Sequence, residues 1–177
     1  MTGSDPMPRN LVLIGMPSAG KSTLGVLAAK ALGMDFLDTD ILLQTLQGER
    51  LQALMARHGR ERFLQLEAQA ILSLSPEHTV IATGGSVVYD AAAMRHLKQV
   101  GRVVYLEVPF EEIAHRLADT ATRGVVMREG QSLLALYQER TPLYERYADA
   151  VLRIPAGMDM RTATARLVEA ACGQSDW

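Results

Sequence analysis

One segment near the start of the chain constrains the fold more than any other. Residues 15–22 read Gly-Met-Pro-Ser-Ala-Gly-Lys-Ser and fit the pattern G-x-x-x-x-G-K-[ST] in full. The segment follows the wholly apolar run 11–14, which is typical of a strand buried on both faces, and precedes helical periodicity over 23–32. The sequence therefore predicts a phosphate-binding loop between the first strand and the first helix of an α/β domain.

The residue types in this loop suit a nucleoside triphosphate. Glycines let backbone N–H groups close around phosphate oxygens, and the helix N-terminus adds its positive end. Lys21 can reach the β- and γ-phosphates, and the hydroxyl of Ser22 can ligate Mg²⁺. The residues predicted to bind the nucleotide are Gly15, Ser18, Ala19, Gly20, Lys21, Ser22 and Thr23.

Short apolar runs alternate with amphipathic stretches along the rest of the chain. Further strands are predicted at 36–37, 79–82, 103–106 and 150–154. Strands separated by helices imply a mainly parallel sheet with right-handed crossovers. We predict a three-layer α/β/α fold with a mainly parallel five-stranded sheet and helices on both faces. It forms a single domain over 1–177, with a core at 10–171 and a flexible N-terminus at 1–9.

The helical stretches carry two expected interruptions. Periodicity over 41–58 includes a break near Gly48, and Gly59 separates it from a second stretch that ends before Pro76. Pro142 lies inside the predicted helix 132–146, so we expect a kink or a break there. The other predicted helices cover 90–98, 110–117 and 160–171, whereas residues 118–131 show no clean period. An irregular segment of that length is either functional or disordered.

Composition excludes several classes of protein. The net charge of −2 gives no support to a nucleic-acid partner or a polybasic membrane contact. Cys172 is the only cysteine, which excludes an internal disulfide framework and a cysteine-rich zinc site. No apolar run reaches the roughly 18 residues of a membrane span, and the first ten residues lack a signal-peptide core. We expect a cytoplasmic protein, a monomer or weak homodimer, that acts on a small molecule.

Among nucleotide-binding classes, a small-molecule kinase is favoured. A GTPase would read guanine with an Asn-Lys-x-Asp motif, but the only asparagine is Asn10, ahead of the phosphate-binding loop. The chain is also too short for the extra domain of a motor. A nucleotide-binding protein without catalytic activity remains the alternative.

Two carboxylates follow the second predicted strand. Asp38 and Asp40 would lie at the carboxyl end of that strand, where ligands bind in open α/β sheets, and segment 83–86 follows the third strand in the same way. One carboxylate there can hold a Mg²⁺-bound water. The other can orient a hydroxyl and accept its proton. The alternative is that both simply cap a helix.

At this point the sequence resembles the shikimate kinases, from about residue 10 to residue 154. The likeness is carried by the phosphate-binding loop, Asp38-Thr39-Asp40, Phe63 with Glu67, Thr83-Gly84-Gly85, and Arg140-Thr141-Pro142-Leu143-Tyr144, which is similar to the family's Arg-x-Pro-Leu-Tyr. The resemblance implies a P-loop kinase fold with a lid. It also implies transfer of the γ-phosphoryl of ATP, with Mg²⁺, to a ring hydroxyl of shikimate, a step in aromatic amino-acid biosynthesis.

The resemblance also implies a role for each matching residue. Asp40 would bind the acceptor hydroxyl and act as the base, while Asp38 would contact Mg²⁺ through water. Gly84 and Gly85 would offer backbone N–H groups to the substrate. Arg140 would pair with the substrate carboxylate.

Segment 118–131 would be the lid. Arg123 would swing over the phosphates and complete a catalytic set with Lys21 and Asp40, because charge spreads over the transferring oxygens and water must be excluded. Arg116, seven residues earlier, would stack on adenine. The alternative for Arg116 is a solvent-facing position on its helix.

Three positions depart from the family pattern. Leu64 stands in the substrate pocket where the family has an arginine that helps to hold the carboxylate. Ser86 replaces the third glycine of the family's triple glycine, and Gly124 replaces the proline after the lid arginine.

The loss at position 64 bears on the substrate. Removing one partner of a hydrogen-bonded charge pair costs about 2–5 kcal/mol. Either Arg60, four residues before Leu64, substitutes for the missing cation, or the acceptor differs. A different acceptor that keeps a carboxylate for Arg140 would be a small hydroxy acid or a hydroxy amino acid such as homoserine.

Overall fold

The computed structural model describes residues 9–119 and 125–172. The elements in chain order are β1 (Asn10–Ile14), α1 (Lys21–Leu32), β2 (Asp35–Asp38), α2 (Thr39–Gln47), α3 (Leu51–Leu72), β3 (Thr79–Ala82), a short 3₁₀ helix (Val87–Tyr89), α4 (Ala91–Val100), β4 (Arg102–Glu107), α5 (Phe110–Asp119), α6 (Leu133–Tyr147), β5 (Ala150–Arg153) and α7 (Met160–Ala171). The predicted lid arginine, Arg123, lies outside the described residues, as does most of the N-terminal segment predicted to be flexible.

The sheet confirms the predicted fold class. Its five strands are all parallel and run in the order β2-β3-β1-β4-β5. The central strand β1 is buried along its whole length. This burial on both faces of the sheet explains why its residues 11–14 are all apolar. Because β1, β3 and β2 are neighbours, the loops that follow them meet at one edge of the sheet.

Two hydrophobic clusters hold the elements together. The larger one surrounds β1, β3 and β4 and includes α1 packed on α7. The smaller one joins α2 and α3 to the segment after residue 124. Its buried members are Leu43, Leu54, Phe63, Leu66, Ala70 and Val126. This second cluster fixes α3 beside the edge of the sheet where the loops meet.

Two glycines interrupt the helices as predicted, and one proline does not. Gly48, at φ 68°, ends α2, and Gly59, at φ 71° and ψ 174°, breaks the helical backbone inside α3. Of the kink or break expected at Pro142, the break does not occur, because α6 continues from Leu133 to Tyr147 through it, and the kink stays a prediction. A proline removes one helical hydrogen bond, but the buried neighbours Arg140 and Tyr144 anchor α6 on both sides.

No helix in the ranges 9–119 and 125–172 is both long enough and apolar enough to span a membrane.

Candidate active site

The phosphate-binding loop connects β1 to α1. Gly15 has φ 149°, and a Cβ atom at this position would lie 2.9 Å from the carbonyl oxygen of Leu106 on β4, so only glycine fits. No side chain caps the N-terminus of α1, which leaves its first N–H groups available to an anion. The residues predicted to bind the nucleotide all lie in this loop or in the first turn of α1: Gly15, Ser18, Ala19, Gly20, Lys21, Ser22 and Thr23.

Lys21 is buried against the loop that it follows. Its Nζ donates hydrogen bonds of 2.8 Å to the carbonyl oxygens of Gly15 and Met16. Burial lowers the pKa of this ammonium to about 8, and the nearby carboxylate of Asp40 opposes that shift. The lysine is therefore held at the mouth of the loop, where the negative charge of a bound phosphate would favour its charged form.

Asp38 caps α2, as one of the two interpretations of the sequence expected, and it also contacts the phosphate-binding loop. Its Oδ1 caps α2 by accepting from the backbone N–H groups of Asp40, at 2.9 Å, and Ile41, at 3.2 Å. Its Oδ2 accepts a 2.6 Å hydrogen bond from the hydroxyl of Ser22. The cap thus fixes a carboxylate next to the phosphate-binding loop and leaves one oxygen directed at Ser22.

A narrow cleft opens beside the loop. Its walls come from the phosphate-binding loop, the loop after β3, helices α3 and α6, and the segment after residue 124. The residues that line it are Pro17, Asp40, Leu51, Phe63, Glu67, Gly84, Gly85, Ser86, Val126 and Arg140. The structure therefore brings four of the five predicted substrate residues together and leaves out Leu64.

Gly84 lies between two carboxylates. A Cβ atom there would collide with Oε1 of Glu67 and would lie 2.8 Å from Oδ1 of Asp40. The N–H of Gly84, which the resemblance assigns to the substrate, instead donates to the hydroxyl of Thr39 at 3.1 Å. The absence of a side chain at Gly84 lets both carboxylates approach the backbone, and the contact of its N–H group with the substrate stays a prediction.

Asp40 is half-buried at the start of α2, facing this cleft. Burial raises the pKa of its carboxyl group, the neighbouring Asp38 adds to the rise, and Lys21 opposes it. A carboxylate with a raised pKa is a stronger base, which suits the removal of a proton from an alcohol.

Glu67 is buried on α3 with only 4% of its surface exposed. Its Oε2 accepts a 2.6 Å hydrogen bond from the hydroxyl of Ser86, whereas its buried Oε1 has no hydrogen-bond partner among the described residues. Burial raises the pKa of this carboxyl group to about 7, and the Ser86 bond opposes the rise. Two of the departures from the family pattern therefore meet at Glu67, since Ser86 contacts it and Leu64 precedes it by one helical turn.

Leu64 lines a second cavity of about 100 Å³ between α3 and α4. Glu67 and Ser86 line both cavities and form the wall between them. Leu64 therefore lies beside the cleft, on the far side of Glu67, and its role in binding the substrate stays a prediction. After the break at Gly59, the helical phase of α3 places Phe63 and Glu67 on the side of the cleft and Leu64 on the side of the second cavity.

Arg140 is fully buried and already holds two protein partners. Its Nε donates to the hydroxyl oxygen of Tyr89 at 3.2 Å, and its Nη2 donates to the carbonyl oxygen of Val126 at 2.6 Å. Its Nη1 lies against Gly85 on the cleft side. Sequence reasoning missed Tyr89 and Val126, because neither belongs to a motif and both are distant in the chain from Arg140.

The remaining cation of the prediction, Arg116, lies on α5. Its Nε pairs with Glu112 at 2.8 Å, and its Nη1 donates to the carbonyl oxygen of Ser18 at 3.2 Å. These contacts tie α5 to the phosphate-binding loop. The stacking of Arg116 on adenine stays a prediction.

A parallel sheet of this order, with a phosphate-binding loop after its central strand and a polar cleft beside it, is the architecture of a P-loop small-molecule kinase. The family model for shikimate kinase matches residues 17–167. The chain belongs to the shikimate kinase family.

Individual relatives agree with the family match. The chain is 36% identical over 167 residues to a shikimate kinase of Xanthomonas campestris pv. campestris strain 8004, covering 93% of this chain and 92% of the relative. It is 41% identical over 151 residues to a shikimate kinase of Synechococcus sp. strain RCC307, covering 83% and 75%. A shikimate kinase from Acinetobacter baumannii, solved in complex with shikimate, superposes with a TM-score of 0.86 at 29% identity, covering 94% of each chain.

Proposed function

We propose that the protein transfers the γ-phosphoryl group of ATP to a hydroxyl of shikimate, giving shikimate 3-phosphate. The observation that carries the proposal is the placement of Asp40 and Arg140 in one cleft beside the phosphate-binding loop. A base and a carboxylate-binding guanidinium are the two groups that a hydroxy acid requires of such a site. The shikimate bound by the Acinetobacter relative supports the same acceptor.

On the nucleotide side, the backbone of the loop and the ammonium of Lys21 would hold the β- and γ-phosphates. The loop carbonyls already fix Nζ of Lys21, so the charge is positioned before the nucleotide arrives. Arg116 adds rigidity, because it bonds the carbonyl of Ser18. Arg123 remains the predicted lid cation.

Ser22 and Asp38 would hold Mg²⁺. Their side-chain oxygens lie 2.6 Å apart beside the loop, and hard oxygen ligands suit this ion. When bound, the ion would supply positive charge to neutralise the phosphate oxygens during transfer. Oδ1 of Asp38 is committed to capping α2, so Oδ2 is the oxygen left to face the ion or one of its waters.

On the acceptor side, Asp40 would take the proton of the attacking hydroxyl. The hydroxyl oxygen forms a bond to the γ-phosphorus, and the bond from that phosphorus to the β–γ bridging oxygen breaks as ADP leaves. Arg140 would hold the acceptor carboxylate through Nη1. Val126 closes the cleft above Arg140 and helps to exclude water.

The test is coupled ADP release with shikimate as the acceptor. We expect kcat/KM above about 10⁴ M⁻¹s⁻¹, and a fall in kcat of roughly 10²- to 10⁴-fold in Asp40→Asn. Asp35→Asn, at the exposed start of the same strand-to-helix segment, is the matched control and should keep wild-type kcat. A fall in kcat of less than twofold in Asp40→Asn would show that Asp40 is not the base. If the wild-type protein does not turn over shikimate, the proposal that shikimate is the acceptor is refuted.

A further inference from the structure

The acceptor cleft contains a buried carboxylate oxygen that accepts no hydrogen bond from the described protein. Oε1 of Glu67 is buried without a hydrogen-bond partner, and no described lysine or arginine forms an ion pair with Glu67. The hydroxyl of Ser86 satisfies only Oε2. A buried carboxylate is costly unless it is paired, so Oε1 marks a place for a donor that the protein itself does not supply.

Position 64, one helical turn before Glu67 on α3, holds a leucine and not a cation. Leu64 and Glu67 are three residues apart on α3 and therefore lie on adjacent parts of one helix face, and both line the second cavity. Leucine at position 64 removes a positive charge from that face, while the carboxylate of Glu67 is retained.

Arg60 does not replace the missing charge in this structure. The carbon of its guanidinium lies 5.1 Å from the centre of the Tyr89 ring, at the same distance as that of Arg140. It makes no ion pair with Glu67 among the described residues, and its buried Nε has no hydrogen-bond partner there. Arg60 is therefore a cation stacked on Tyr89 and does not supply the missing donor for Oε1 of Glu67.

The charges in the cleft are arranged in a definite order. The carboxylates of Glu67 and Asp40 flank Gly84, and Nη1 of Arg140 lies at the next residue, Gly85. A ligand seated against these two glycines meets two carboxylates at one end and a guanidinium at the other. Such a ligand needs a hydroxyl for Asp40, a carboxylate for Arg140 and a further donor, best a cation, for Oε1 of Glu67.

We propose that this cleft also phosphorylates short-chain hydroxy α-amino acids, with the ammonium of the acceptor paired to Glu67 and its carboxylate to Arg140. The inference rests on the proposed function only for the phosphoryl-transfer groups. The acceptor hydroxyl oxygen bonds to the γ-phosphorus of ATP, the bond to the β–γ bridging oxygen breaks with its electron pair leaving on ADP, and Asp40 takes the hydroxyl proton.

The experiment compares three acceptors by coupled ADP release: L-homoserine, 4-hydroxybutyrate, which lacks the ammonium, and shikimate. A hydrogen bond to a charged group predicts that wild-type kcat/KM for homoserine exceeds that for 4-hydroxybutyrate by about 10- to 150-fold. In Glu67→Gln this ratio should fall to within about threefold of unity. Glu61→Gln, exposed on the same helix, is the matched control and should keep the wild-type ratio.

A second variant tests the inference from the opposite direction. Leu64→Arg places a cation one turn before Glu67, so it should lower kcat/KM for homoserine at least 10-fold and raise it for shikimate. This variant adds charge beside Glu67 and leaves the buried carboxylate intact, so it remains informative if Glu67→Gln folds poorly.

The outcomes separate the two proposals. Turnover of shikimate without turnover of homoserine overturns the inference and leaves the proposed function standing. Turnover of homoserine without shikimate refutes shikimate as the acceptor and supports the inference. Equal losses for homoserine and 4-hydroxybutyrate in Glu67→Gln would show a merely structural role for Glu67 and overturn the inference.

Discussion

The phosphate-binding half of the site is formed mainly by backbone, and the acceptor half is formed mainly by side chains. The phosphate half is a single stretch of backbone between β1 and α1, whose glycines and helix N-terminus form the binding surface. The acceptor half is assembled from side chains on α2, α3, α6 and the loop after β3. A backbone site tolerates few sequences, because its shape depends on residues such as Gly15. A side-chain site changes character when one residue is exchanged, as Leu64 and Ser86 illustrate.

Among the changes that test the division into two halves, the largest effect should come from removing the side chain of Lys21 from the phosphate half. In Lys21→Met we expect kcat to fall about 10²- to 10³-fold for every acceptor, because the donor that faces the transferring group is lost. Steady-state ADP release checks this, with exposed Lys30→Met on the same helix as control. A loss confined to one acceptor would break the division into two halves.

The acceptor half should carry a pH-dependent cost to folding. The pKa of Glu67 rises from its usual 4.5 to about 7, so the folded state favours the protonated acid. Its contribution to stability is therefore present below pH 4.5 and is lost as the pH rises through 7. We expect the free energy of unfolding, relative to Glu67→Gln, to fall by about 2–3 kcal/mol between pH 5 and pH 8.

Urea denaturation at the two pH values measures this difference. Glu61→Gln should show the same pH dependence as the wild-type protein, because its side chain is exposed. A pH slope that is identical in Glu67→Gln and the wild type would mean that Glu67 titrates normally.

A smaller effect is expected from filling the gap at Gly84. In Gly84→Ala the new methyl group meets Oε1 of Glu67 and Oδ1 of Asp40, so we expect about 1–3 kcal/mol of destabilisation and a higher KM for the acceptor. The Kd for nucleotide, measured by calorimetry, should stay within about twofold. Ala substitution at the open position Gly48 controls for the general effect of removing a glycine elsewhere, although its φ of 68° adds strain. An equally large loss of nucleotide affinity in Gly84→Ala would contradict the separation of the halves.

The smallest effect concerns the link between α5 and the phosphate-binding loop. Arg116→Gln removes the ion pair to Glu112 and the bond to Ser18, each of which is partly exposed and worth about 0.5–1.5 kcal/mol at most. Nucleotide Kd should rise about 3- to 10-fold by calorimetry. A much larger rise for ATP than for inorganic triphosphate would instead support the predicted stacking on adenine.

The sequence predicted most of the fold and only part of the acceptor site. Apolar runs gave the five strands, and Gly48 and Gly59 interrupt the helices where the pattern indicated. At Pro142 the helix does not break, because local propensity ignores the tertiary anchors of α6. The side of α3 that carries Leu64 could not be predicted from spacing alone, because the break at Gly59 leaves the helical phase beyond it undefined.

Local pattern by itself determined the phosphate-binding loop and the aspartate pair at the end of β2, since each is a contiguous stretch whose chemistry follows from adjacent residues. The role of Arg140 came from the resemblance of its segment to the family's Arg-x-Pro-Leu-Tyr. Only the tertiary structure decided which residues distant in the chain contact one another in the site. It brought Ser86 to Glu67, Tyr89 to Arg140 and Thr39 to Gly84. The physical reason is that strand order and helix packing, set by burial across the whole chain, choose these neighbours. The same packing buries Oε1 of Glu67 without a hydrogen-bond partner among the described residues.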